Sequence, residues 1–190
     1  KEDETLHILP HWNWEGREGE TTPIFVYTNY PSAELFINGK SQGKRYKDLS
    51  IKLEKEEKDG NPEDLERQKR YRLMWMDTKY EAGVVKVVAY DNNGKAVTEK
   101  EIRTAGKPYA LRLTTHKETA FSPNGKDLAY ITVEAVDKDG NLCPNVNDLV
   151  TFSVKGVGNY RAAANGDPTC TDVFHLPKMH LFNGKLVVIV

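Results

Sequence analysis

Apolar residues recur at every second position along much of this chain, the period of a half-buried β-strand rather than of a helix. Ile24-Phe25-Val26-Tyr27-Thr28 is a β-branched and aromatic run, introduced by Pro23 and closed by Asn29-Tyr30-Pro31-Ser32. Residues 33–37 alternate and meet Asn38-Gly39, a pair that accepts the positive φ angles of a type I′ turn. A return strand over 40–45 follows, with Gly43 as a bulge or a point of close approach. The same alternation marks residues 71–76, 84–91 and 96–104; Val85, Val87 and Ala89 share one face, and Asn92-Asn93-Gly94 turns the chain. Between these strands, a charged run at 54–62 and a short solvated helix at 62–70 read as a surface excursion.

Gly106-Lys107-Pro108 is a hinge, because few contacts need cross such a stretch. Beyond it Leu111 and Leu113 alternate, then Ile131, Val133 and Ala135, then Val150, Phe152 and Val154. Turn chemistry separates them at residues 121–127, 137–141 and 165–168. Residues 186–190 form a last strand with no turn after it. The expectation is an all-β chain of two tandem immunoglobulin-like antiparallel β-sandwiches, 1–106 and 108–190, the second truncated at its carboxyl edge. The charged start Lys1-Glu2-Asp3-Glu4 and the abrupt apolar end suggest a piece of a longer protein.

Composition narrows the function classes. The chain has 190 residues, 38% hydrophobic and 29% charged, with a net charge of −1. It therefore has no basic footprint for nucleic acid or an anionic membrane, and no apolar run nears the ~20 residues of a membrane span. Cys143 and Cys170 sit among turn residues and read as two free thiols. His7, His11, His116, His175 and His180 are scattered, and Pro177 between the last two denies them a common face, so no metal site is expected. Residues 137–141 imitate the start of a calcium loop, but position 12 is Asp148 where a Glu is needed; a turn explains them. No GxSxG, HExxH or phosphate-cradling loop is present, so neither a catalytic residue nor a cofactor is predicted.

The one stretch with candidate chemistry is His11-Trp12-Asn13-Trp14-Glu15-Gly16. In an extended backbone Trp12 and Trp14 project from one face, giving an indole pair that either fills a core or stacks on a sugar ring. The core reading is the default; carbohydrate binding by Trp12 and Trp14 is the alternative.

Residues 9–16, 33–43, 71–75 and 80–90 resemble the region that follows the catalytic barrel in glycoside hydrolase family two, among the β-galactosidases and β-glucuronidases of gut Bacteroidetes. Residues 131–137, 165–168 and 181–185 resemble the immunoglobulin-like domain that comes next. The resemblance implies a non-catalytic accessory fragment whose partner is the TIM barrel of the same parent chain. It also implies contact with carbohydrate through the parent and export to the periplasm or cell surface. A carbohydrate-binding module and a surface adhesin built of tandem sandwiches are the other two readings.

Overall fold

The computed structural model describes residues 4–50, 68–115 and 124–190. The charged run at 54–62, most of the expected helix at 62–70 and His116 lie outside the described residues. Among the described residues every named element is a β-strand, and the chain is all-β with antiparallel pairing throughout. It divides into two compact units, Lys1–Thr104 and Ala105–Val190.

Unit 1 is a sandwich of two sheets. β1 (Leu6–Leu9), β2 (Ile24–Thr28) and β5 (Arg72–Trp75) pair in the order β1-β2-β5. β3 (Ser32–Ile37), β4 (Lys40–Tyr46), β6 (Val84–Tyr90) and β7 (Ala96–Arg103) pair in the order β4-β3-β6-β7. The period-2 pattern sets which side chains meet: Ile24, Val26, Leu73 and Trp75 from one sheet, and Ala33, Leu35, Val85 and Val87 from the other, all buried in one core. Each fully buried aliphatic side chain contributes about 1.5–3 kcal/mol relative to exposure.

The turns are made as the residues dictate. Asn38 and Gly39 have φ of 49° and 79°, both positive as a type I′ hairpin requires. At Gly43, φ is 88°, and the β3–β4 register slips by one residue between Glu34 and Phe36. That bulge frees the Gly43 carbonyl to accept the Trp75 indole N–H from the opposite sheet at 3.0 Å.

Unit 2 contains β8 (Ala110–Thr115), β9 (Tyr130–Val136), β10 (Leu149–Thr151), β11 (Ala162–Ala164), β12 (Lys178–His180) and β13 (Lys185–Ile189). A four-stranded sheet, β11-β13-β9-β8, faces a two-stranded one, β10-β12. Val133, Ala135, Ala163, Met179, Leu181, Leu186 and Val188 form the core. β13, the last strand, lies between β9 and β11 and pairs with both. One sequence expectation needs correction here. Residues 150–154 are not one strand with a single buried face. β10 stops at Thr151, Val150 and Phe152 pack on the core, and Val154 is exposed.

Candidate functional site

The tryptophan stretch lies between β1 and β2 and is not extended. Trp14-Glu15-Gly16-Arg17 is a turn closed by Arg17 N–H to the Trp14 carbonyl at 3.0 Å, with Gly16 at φ 82°. Gly19 and Thr22 then bond to the carbonyls of Tyr80 and Thr78, which anchors the segment on the approach to β6. Because the backbone curls, the i, i+2 rule of a strand no longer applies and the two indoles separate.

Trp12 points into the core and is 1% exposed. Its ring meets Tyr80 edge to face, with centroids 5.1 Å apart, and its Nε1–H donates to the Glu81 carbonyl at 2.8 Å. The Trp12 carbonyl accepts from the Thr104 hydroxyl at 2.6 Å, and Thr104 Oγ1 accepts from Gly83 N–H at 3.0 Å. Gly83, at φ 138°, packs so tightly on Asn38 that an added Cβ would sit 2.0 Å from its Oδ1. Asn38 in turn accepts from Val84 N–H and donates to the Ala82 carbonyl.

Trp14 is half-buried at the rim of the same core. It stacks on His11 with centroids 4.4 Å apart, donates to the His11 carbonyl at 2.9 Å and lies 5.3 Å from the Arg17 guanidinium. Burial lowers the His11 pKa, and its Nδ1 accepts from Asn13 N–H, so the imidazole is neutral at pH 7. Arg17 is paired with Glu20 at 2.7 Å. The flat two-indole surface expected from an extended backbone is therefore not formed: Trp12 has no exposed face, and Trp14 is occupied by His11.

Unit 2 holds a constellation that spacing did not reveal. His180 on β12 shares Asp172 twice, through its backbone N–H at 2.8 Å and its Nδ1 at 2.9 Å. Both contacts, with the Cys170 thiol, hold the Asp172 carboxyl below its ordinary range. Asn165 Nδ2 reaches Cys170 Sγ at 3.4 Å and the His180 carbonyl at 3.0 Å. Sequence reading found no common face for His175 and His180 and left Cys170 alone, since only the return of β12 brings these loops together. Cys143 and Cys170 are free thiols, and among the described residues no group of three or more His, Cys, Asp and Glu is arranged to hold a metal ion.

The 137–141 loop is a turn. Asp137 accepts from the N–H groups of Gly106, Asp139 and Asn141 and from the Asn141 amide. These bonds, the Asn141 side chain foremost, bring its pKa down to about 2.

Comparison with known proteins gives this fold a family. Residues 111–190 match the model described as Glycoside hydrolase family 2 C-terminal domain 5, and residues 19–98 match Domain of unknown function (DUF4982). The protein named Beta-galactosidase BoGH2A of Bacteroides ovatus is 39% identical over 188 residues, 98% of this chain and 19% of that protein. The chain belongs to the C-terminal region of glycoside hydrolase family 2. A Beta-glucuronidase of Formosa agariphila is 28% identical over 88% of the chain and 15% of its own length. Among solved structures, a β-glycosidase from Bacteroides vulgatus superposes with a TM-score of 0.79 at 27% identity, covering 100% of this chain and 21% of its own. A glycosyl hydrolase family 2 member from Bacteroides cellulosilyticus gives 0.78 at 27% identity, covering 100% and 25%. The chain thus spans about a fifth of the length of these family 2 relatives.

Proposed function

We propose that this chain is a non-catalytic accessory module of a β-galactosidase-like family 2 glycosidase, packed beside the catalytic barrel of its parent. The observation that carries the reading is the match to BoGH2A, which runs over 98% of this chain yet takes up only 19% of that protein. Retaining glycosidases need two carboxylates about 5–5.5 Å apart. The best-held acids here serve structure: Asp137 ties a turn, and Glu134 bridges Arg112 at 2.8 Å and Lys185 at 2.7 Å. The work of the fold goes into two sandwiches and the clasp around Trp12.

The isolated chain should release no nitrophenol from p-nitrophenyl β-galactoside under conditions where the full-length parent does. Turnover by the purified chain would overturn the accessory reading. The same sample addresses sugar stacking. With Trp12 in the core and Trp14 on His11, galactosides at millimolar concentration should leave the tryptophan emission unchanged; saturable quenching would favour a carbohydrate-binding module instead.

A further inference from the structure

The two outward faces of the unit 1 sandwich differ in kind. On the four-stranded sheet the charges are matched within the face. Lys86 meets Glu99 at 2.7 Å, Arg103 meets Glu101 at 2.6 Å, and Glu34 accepts from the hydroxyls of Ser41 and Tyr90. Mixed, internally paired charge of this sort suits a surface that stays in water.

The three-stranded sheet presents other chemistry. Register sets Leu9, Phe25 and Met74 in one outward row, and His7, Tyr27 and Arg72 in the next. Met76 follows just beyond β5, and Leu9 and Met76 are 41% and 45% exposed. Neither row carries a carboxylate. The Arg72 guanidinium lies 4.5 Å from the centre of the Phe25 ring and 5.8 Å from that of Tyr27. It donates to the Tyr27 hydroxyl at 2.7 Å and to the Gln68 side-chain carbonyl, while its Nε is buried with no hydrogen-bond partner. Among the described residues no acid forms an ion pair with it. Rings and a phenol leave the charge uncompensated, and a partly desolvated charge is stabilised by an opposite one.

We propose, resting on the accessory reading above, that this face is the surface by which the module docks on the catalytic barrel of its parent. A barrel carboxylate would sit on Arg72, and apolar barrel side chains would cover Leu9, Phe25, Met74 and Met76. Aromatic rings, methionine and arginine, without lysine or acid, are the make-up of a protein interface core. The unpaired guanidinium selects a partner that brings a carboxylate. A second copy does not meet that need: a two-fold contact sets the patch against itself, and the patch has no carboxylate to offer. A barrel in the same polypeptide also gains from its tether, which raises the effective concentration of the two surfaces.

Oxidative footprinting of the 190-residue chain and of the full-length parent reads the covered face directly. Hydroxyl radicals should oxidise Met74 and Met76 in the isolated chain and do so several-fold more slowly in the parent. In the parent, Arg72→Glu should restore the oxidation of Met76, whereas Lys86→Glu, on the outward face of the other sheet, should not. A photoreactive benzoylphenylalanine in place of Leu9 should cross-link to a peptide of the barrel. The footprint uses unsubstituted protein, so it stands even if Arg72→Glu fails to fold. Equal methionine oxidation in the two proteins would overturn the proposal. So would a cross-link to a segment outside the barrel, or a dimer of the isolated chain in which both methionines are protected. Turnover by the isolated chain is a separate measurement, so a failed footprint removes this face and leaves the accessory reading in place.

Discussion

Trp12 holds unit 1 together from outside any strand. It lies in the core, meets Tyr80 edge to face and satisfies the Glu81 carbonyl through its indole. Trp12→Ala should cost about 3–5 kcal/mol, the range for deleting a buried large aromatic, measured by urea unfolding; a loss under 1 kcal/mol would place the indole elsewhere. Asp137 makes a pH-dependent contribution in unit 2. Its folded pKa of about 2 lies below the ordinary 3.8, so the stability it supplies is complete above that ordinary value and lost as pH falls toward 2. Asp137→Ala should therefore flatten the stability curve of unit 2 between pH 4 and 2 as well as lower it at neutral pH, which unfolding across that window would read. The sequence showed that two indoles lay close together and that one of their uses was a core. It could not show them parting, because the parting depends on Gly16 and on Tyr80, sixty-odd residues away.

At the level of elements, local chemistry was legible and tertiary placement was not. Asn38-Gly39, Asp91-Asn92-Asn93-Gly94 and Asp137-Lys138-Asp139-Gly140-Asn141 carry their own turn geometry, and each turns the chain where its residues require. β11 and β12 have three residues each and no period to detect, and the pairing of β13 on both sides is invisible along one strand. Gly83 is one position where an element fails on a single methyl. Gly94 has φ 78° and open space around its Cβ position, so Gly94→Ala bears only the backbone strain, about 1–2 kcal/mol. Gly83→Ala adds the Asn38 clash and should destabilise unit 1 further. Combining it with Asn38→Gly should recover part of the loss, a coupling that a double-mutant cycle would measure.

For the molecule as a whole, the fold class followed from alternation alone, and the family followed from motifs spread across both units. The candidate site was harder to read, since Asp172, Cys170 and His180 meet only when β12 folds back, which spacing does not reveal. Charge gives one expectation at this scale. With 27 basic and 28 acidic residues and a pI near 6.6, the chain has little self-repulsion close to neutrality. Its solubility should pass through a minimum around pH 6.6 and recover on either side, as light scattering across a pH series would show.

The hydrogen bond between the Trp12 carbonyl and the Thr104 hydroxyl spans 92 residues of sequence. Closing so wide a loop is entropically unfavourable until the strands between are in place. The clasp is therefore a late event, formed on the native side of the folding barrier. Thr104→Val, which removes the hydroxyl, should raise the unfolding rate while leaving the refolding limb of the chevron nearly unchanged, so this hydrogen bond governs how long unit 1 stays folded more than how fast it gets there.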